Sequence, residues 1–369
     1  MFKIPLNIEF IIDRLSQNGH SAYIVGGCVR DLLLGKTPHD FDVTTSATPQ
    51  EIISLFEKTI PTGIKHGTVT VLIENTPVEV TTFRTEGAYT DNRRPDNVEF
   101  VKDLREDLSR RDFTVNAMAY NKKDGLKDYF GGKADLENKI LRAVGNPETR
   151  FCEDALRILR LFRFASTLNF KIEEKTLNDA LKCSYLLKNV SAERIFAELK
   201  KAVMGENFKI FAPLIECGGL EFLNINKLPD FEKMKTASEL HCLFILLDYN
   251  GLQKLNPSNK EKEYFKKMNL ALKMPTPKTE EDIKNMRAVI DDEILNDYFV
   301  FKNLKTNLLQ TVLEKNEPYL ISHLSLNGKD LLELGYQGEE IGEILERLQK
   351  FVIKNPEKNN KQDLINQIP

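Results

Sequence analysis

Every β-rich run in this chain lies before about Lys139, and from there to the end the pattern is helical almost throughout. AYIVGG, FDVTT, GTVTVLI, VEVTTF and VEFV read as strands, and Glu74 to Pro77 reads as a hairpin turn between two of them. The opening residues suit an amphipathic helix with Ile8, Phe10, Ile11, Ile12 and Leu15 on its apolar side. Thr48-Pro49-Gln50-Glu51 carries a cap, a proline at the first helical position and a glutamate three residues after the cap, so a helix opens there. Later segments, Pro147 to Ala165 and the run from Ser191 to Gly205, have strong helical periodicity. Asn256 to Lys262 and Lys273 to Lys284 read as polar connectors. The expected fold class is therefore α+β, a small mixed β-sheet head followed by an all-helical remainder.

At 369 residues the chain can build more than one core, and 41% hydrophobic with 29% charged residues is ordinary for a globular protein. No apolar run approaches a membrane span, and MFKIPLNIEFIIDRL lacks the layout of a signal peptide, so the expected place is the cytoplasm. Five cysteines, Cys28, Cys152, Cys183, Cys217 and Cys242, are scattered singly, which suggests buried or half-buried thiols rather than a disulfide framework or a zinc site. A net charge of −3 excludes a generally basic coat but allows a local basic strip.

The chemistry concentrates around Asp40 and Asp42, which follow the run GGCVRD at Gly26 to Asp31. On a strand, residues two apart face the same way, so both carboxylates would be presented together. Such charges repel unless a cation lies between them. Gly26 and Gly27 let backbone approach phosphate closely, and Arg30 can fork onto its oxygens. The combination points to a divalent-metal site that handles a nucleoside triphosphate. Glu79 is the best third ligand, because in Val78-Glu79-Val80 it faces away from two apolar neighbours on a strand of the same small sheet.

GGCVRDLLLGKTPHDFDVTT resembles the signature of the class II tRNA nucleotidyltransferases of the polymerase-beta superfamily, which includes CCA-adding enzymes and bacterial poly(A) polymerases. RRDFTVNAMAY at Arg110 to Tyr120, DYFGG at Asp128 to Gly132, EDALRILR at Glu153 to Arg160 and SAERIFAEL at Ser191 to Leu199 follow in the family's order. The resemblance covers most of residues 22 to 200. It implies a nucleotidyltransferase head over residues 1–140, a neck that recognises the base over 141–205, a body over 206–300 and a tRNA-binding tail over 301–369. It also implies magnesium held by Asp40, Asp42 and Glu79, and tRNA, ATP and CTP as partners without a membrane; it carries no oligomeric state. Arg111 and Asp112 match the motif that holds ribose and triphosphate, with Asn116 nearby, and DYFGG matches a joint between head and neck.

Asp154 and Arg157 match the pair that reads the incoming base. At i, i+3 on one helix they would stand side by side. Arginine only donates and ionised aspartate only accepts, so the pair suits the unprotonated ring nitrogen and exocyclic amino group of cytosine or adenine. Uracil and guanine present the opposite pattern. Arg160 and Arg163 continue the basic edge, Arg160 toward phosphate or base, while Glu193, Arg194 and Glu198 read as braces between helices.

The polar stretch from Arg84 to Asn97, with Arg93 and Arg94, resembles the flexible loop of CCA-adding and A-adding enzymes, which disfavours a pure CC-adding enzyme. The expected function is CCA addition to tRNA. A-only addition beside a CC-adding enzyme is the alternative, and a poly(A) polymerase is disfavoured without a basic tail. The dipeptide His39-Asp40 raises an HD-type metal phosphohydrolase, but the five histidines show no ligand spacing. LSLNGKDLLELGYQGEEIGEILERLQKFV resembles the family's tRNA-gripping tail, where lysines would meet backbone phosphates by shape.

Overall fold

The computed structural model describes residues 2–74, 76–87, 98–230 and 238–368. Arg93 and Arg94 lie outside them. The chain divides into two units, Met1–Phe231 and Glu232–Pro369.

The first unit begins with α1 (Leu6–Gln17), which buries Ile8, Ile11, Ile12 and Leu15. Phe10, expected with them, stays exposed, because two residues past Ile8 falls on the far side of a 3.6-residue turn. The chain then runs through β1 (Ala22–Val25), α2 (Gly27–Leu33), β2 (Val43–Thr45), α3 (Pro49–Leu55), β3 (Thr59–Gly63), β4 (Thr68–Ile73) and β5 (Thr76–Thr82). After β6 (Arg84–Glu86), β7 (Val98–Phe100) and α4 (Leu104–Ser109) come β8 (Met118–Asn121) and β9 (Gly125–Asp128). Seven strands form one sheet in the order β3-β4-β5-β2-β1-β8-β9. In it β2 and β5 run parallel, and every other neighbouring pair is antiparallel. A mixed sheet is the expected one, but β8, β9 and β3 are strands the sequence did not announce; β3 is the least legible of them. Its residues Thr59 to Gly63 lack apolar alternation, and a register shift between Ile60 and Gly63 breaks what pattern there is.

Local signals account for several of these elements. The capping box of α3 forms as expected: the Glu51 backbone N–H donates to the Thr48 hydroxyl at 3.4 Å, and the Glu51 carboxylate accepts the Thr48 N–H at 2.7 Å. In β5 the residues Val78, Val80 and Thr82 turn inward and Glu79 outward. Arg84 to Glu86, read as the start of a turn-rich stretch, instead pair with β7 as a separate ribbon.

The helical part of this unit contains α5 (Gly132–Glu137), α6 (Pro147–Glu153), α7 (Leu156–Leu168), α8 (Glu174–Lys182) and α9 (Ala192–Val203). The long helix expected from Pro147 to Ala165 is broken at Asp154, which takes an extended backbone with φ −141° and ψ 100°. Its short carboxylate accepts the N–H of Leu156 at 3.1 Å, a local bond that competes with helix continuation. Ser191 does sit at the N-cap of α9, yet its hydroxyl makes no cap bond and is buried without a partner among the described residues. Two of the five cysteines, Cys152 and Cys217, are exposed rather than buried.

The DYFGG segment is pinned in place. The Asp128 carboxylate accepts the backbone N–H groups of Gly132 and Lys133 at 2.8 Å each. A Cβ on Gly132 would stand 2.1 Å from the Thr114 carbonyl oxygen, and backbone cannot yield that distance cheaply. Gly132→Ala is therefore expected to destabilise the unit by about 3 kcal/mol, read as a lowered urea midpoint with unchanged slope.

The second unit is helical. Its elements include helices at Glu239–Leu246, Asn259–Lys273, Glu280–Arg287, Asp292–Phe301, Asn307–Lys315 and Glu339–Lys354. Parts of the two polar connectors are helix starts, each marked by a capping box, Ser258 with Glu261 and Thr279 with Asp282. Leu326, Leu331, Ile344, Leu348, Val352 and Leu364 form a core near the end of the chain. No described helix is long and apolar enough to cross a membrane.

Candidate active site

The parallel pairing of β2 with β5 matches Val43 to Val80. Extending that register by one residue sets Asp42 across from Glu79. The strand proper starts at Val43 rather than Phe41, but the Asp42 carbonyl still accepts the Val25 N–H at 3.0 Å, which carries the sheet geometry back to it. Asp40, Asp42 and Glu79 all line one open cleft with Thr70, His39 and Lys36. Crowding by protein raises the Asp42 carboxyl above the usual carboxylate range; Arg111 opposes this, and the charges of Glu79 and Asp40 add to it. The three carboxylates thus form one electrostatic cluster.

Arg111 stands beside them. Its Nη2 lies 3.6 Å from the Asp107 carboxylate. On its other side is Gly26, where a Cβ would come within 3.0 Å of Nη1. Gly26 has φ 82°, a conformation that only glycine adopts freely, so the turn from β1 into α2 and the space for Arg111 both depend on it. Asp107 is fully buried and binds Arg110 through Nε at 3.0 Å and Nη2 at 2.8 Å. It also accepts the Thr44 hydroxyl at 3.2 Å. Burial alone would raise its pKa, but Arg110 and Arg111 hold it below the usual range.

A second network runs from α2 to α9. The Arg30 guanidinium donates to Asp31 through Nε and Nη2 at 2.9 and 2.8 Å and to the Asn116 side-chain oxygen at 2.7 Å. Asn116 in turn donates to Asp112 at 3.1 Å. The other Asp112 oxygen accepts from Arg160 at 2.9 and 2.7 Å, and Arg160 and Arg163 reach Glu198 at 3.4 and 2.8 Å. Arg30, Arg160 and Arg163 all lie over the ring of Phe164, at 5.3, 5.3 and 3.4 Å from its centroid. The head and the helices after it are thereby fastened by charge and by one aromatic ring.

Asp112 has no acceptor capacity to spare. A carboxylate offers about four lone-pair sites, and here Phe113 N–H, Asn116 and two Arg160 donors occupy them. Desolvation pushes its pKa up, and Arg160 with these hydrogen bonds outweighs that and lowers it. Because the folded value is depressed, the stability it contributes is present above the ordinary carboxylate range and is lost as pH falls through the lowered value. Asp112→Asn is expected to cost about 2 kcal/mol at neutral pH. The gap from wild type in urea melts should close on acidification; a constant gap would refute the ionic origin.

Asp154 and Arg157 do not pair with each other. Asp154, in the break between α6 and α7, binds Arg194 at 2.7 Å. Buried Arg157 donates to Glu153 at 2.7 Å and to the carbonyls of Arg150 and Arg110 at 3.1 and 3.2 Å. The break aims the two groups differently from the single helix expected. Since Arg110 also holds Asp107, which lies 3.6 Å from Arg111, Arg111 and Arg157 are tied through Asp107 and Arg110.

The comparisons with known proteins agree on one group. Residues 22–142 match the Poly A polymerase head domain, and residues 169–233 match the probable RNA and SrmB- binding site of polymerase A. The CCA-adding enzyme of Ligilactobacillus salivarius (strain UCC118) is 39% identical over 381 residues, covering 96% of this chain and 94% of that protein. The chain belongs to the CCA-adding enzyme family. Another CCA-adding enzyme, from Staphylococcus haemolyticus (strain JCSC1435), is 38% identical with coverages of 96% and 95%. A crystal structure of the Bacillus stearothermophilus CCA-adding enzyme in complex with CTP superposes with a TM-score of 0.82, at 30% identity over 99% of this chain and 98% of that one. The Thermotoga maritima CCA-adding enzyme complexed with tRNA shares the fold, with a TM-score of 0.71 at 21% identity over 98% and 93% of the two chains. As a CCA-adding family member, the chain is a nucleotidyltransferase.

The residues fit a small divalent ion of the kind this family's chemistry implies. Among the described residues no three His, Cys, Asp or Glu side chains already close into a metal cage. A hard ion such as magnesium does not need one, since it binds through one or two carboxylates and completes its shell with water and substrate phosphates. The mutual repulsion felt at Asp42 is what such an ion would relieve. Sequence reasoning missed Asp107 and Glu153 as organisers of the site. Their spacing, three and four residues from the arginines they bind, was the available signal.

Proposed function

We propose that this chain completes the 3′ end of tRNA by adding C, C and A from CTP and ATP, releasing pyrophosphate, in the cytoplasm. The observation that carries this reading is the placement of Asp42 across from Glu79 on parallel strands, with Asp40 in the same cleft and Arg111 beside Asp42. Magnesium, when bound, would supply Lewis-acid chemistry for transfer from a triphosphate. Asp40, Asp42 and Glu79 would hold it. The Arg111 guanidinium acts on Asp42 and is a cation available for triphosphate charge. Gly26 and Gly27 let the substrate approach backbone at the start of α2. Family membership narrows the chemistry from metal-assisted phosphate handling in general to nucleotide transfer.

Base choice falls to Asp154 and Arg157. Asp154 would exchange Arg194 for the exocyclic amino group of cytosine or adenine, while Arg157, held by Glu153, donates to the ring nitrogen. Asp112, Asn116, Arg30, Arg160 and Arg163 act as the frame that fixes these elements and supplies positive field near the triphosphate. We further read residues 1–140 as the head, 141–205 as the neck, 206–300 as the body and 301–369 as the tRNA-binding tail.

The test is extension of three tRNAs, ending before the first C, after one C and after two, with labelled CTP and ATP. Each should reach the full CCA length and stop. Addition of A alone would replace the reading with the A-adding one, and phosphate release without extension would end it.

A further inference from the structure

Two thiols meet beside the base-reading break. Cys152 lies in the last turn of α6, and Cys183 at the C-cap of α8, against which α6 packs. Their Sγ atoms are 3.9 Å apart, against about 2 Å in a bonded pair. Cys152 is exposed and Cys183 is buried. The remaining thiols are placed differently: Cys28 and Cys242 are buried, and Cys217 donates to the Leu214 carbonyl at 3.2 Å.

We propose that Cys152 and Cys183 are an oxidation site, closed to a disulfide by hydroperoxides and reopened by thiols, that lowers nucleotide addition while closed. Exposure decides the order of events. Cys152 sulfur attacks the hydroperoxide, the O–O bond breaks, and a sulfenic acid and water form when the oxidant is hydrogen peroxide. Cys183 sulfur then attacks the sulfenic sulfur; the S–S bond forms, the S–O bond breaks, and the oxygen leaves as water with the Cys183 proton. Overall, two thiols and one hydrogen peroxide give one disulfide and two waters. Burial, then the neighbouring Cys152, push the Cys183 thiol up to about 12, which keeps it protonated and leaves the first step to Cys152.

The consequence for the site follows from what lies next to Cys152. Glu153 accepts from Arg157 at 2.7 Å and from Arg150 at 3.1 Å, and Asp154 begins the break. Drawing the last turn of α6 toward residue 183 displaces Glu153 and releases Arg157 from its brace. Cys152 itself touches no proposed substrate, so reduced enzyme is unaffected by its chemistry. The kinetic effect rests on the activity proposed above, whereas the linkage is read without it.

The full chain is treated with hydrogen peroxide and mapped by mass spectrometry without reduction, and kcat/KM for CTP addition is measured before treatment, after it and after dithiothreitol. A peptide joining Cys152 to Cys183 is expected, with kcat/KM down about tenfold, the worth of one displaced hydrogen bond between charged groups, and recovery on reduction. Cys152→Ser should keep basal activity and lose both effects; Cys183→Ala repeats the test from the other side, and Cys217→Ser should retain both. Separate, individually alkylated Cys152 and Cys183 after peroxide would overturn the site. A linked pair with unchanged kinetics would overturn its regulatory effect. If no variant or wild type adds nucleotides under any condition, the peptide map still decides the linkage while the proposed function fails.

Discussion

Asp42→Ala is expected to slow nucleotide transfer by about ten thousandfold while tRNA affinity stays within about twofold, because no phosphate-binding cation is removed. Asp42 is the middle member of the cluster: Arg111, Glu79 and Asp40 all act on its charge. Removing it takes away a proposed metal ligand and leaves Arg111 facing one charge fewer. Single-turnover extension of a tRNA lacking its terminal A measures the chemical step, and a filter-binding titration measures tRNA affinity. Retained transfer would sink the metal assignment of the whole cluster. Asp42→Asn separates charge from shape; it should be nearly as slow, since the neutral amide binds a hard cation poorly.

Asp154→Ala should change what is added more than how fast. The loss of an acceptor for the exocyclic amino group removes the penalty that UTP meets when its carbonyl confronts a carboxylate. Discrimination of CTP against UTP, measured as a ratio of kcat/KM, is expected to fall by about a thousandfold, the scale on which buried hydrogen-bonding sites reject mismatched ligands. The free Arg194 guanidinium adds a second effect. It loses its 2.7 Å partner and offers a donor where the carboxylate stood, which suits the uracil carbonyl. Arg194→Ala in the same background should therefore restore part of the discrimination against UTP. Unchanged base choice in Asp154→Ala would refute the templating role.

How legible these features were in the chain depended on how local their causes are. The β4–β5 hairpin, the outward turn of Glu79 and the Thr48 capping box rest on alternation and on contacts three residues apart, and the sequence announces them. The carboxylate pair reads as two aspartates one residue apart on a strand, whereas the strand begins only at Val43, just after them. The break at Asp154 was not legible, since neither proline nor glycine marks it and the competing bond comes from the aspartate itself. Nor could the chain show that Arg30 and Asp112 would be consumed by partners within the protein. Arg30 binds Asn116 beside its neighbour Asp31, and Asp112 binds Arg160; the Asn116 and Arg160 contacts span 86 and 48 residues, and only folding makes them. Arg93 and Arg94 lie outside the described residues.

The parallel pairing of β2 with β5 also sets a timetable for the newly made protein. Val43 and Val80 are partners in register, yet between them the chain must complete α3, β3 and β4 before the two strands can meet. Closing so long an excursion is a late, entropically costly event compared with forming the β4–β5 hairpin. A nascent chain whose β5 is still inside the ribosome has both aspartates but not Glu79 at hand, so the cluster assembles only after β5 has emerged.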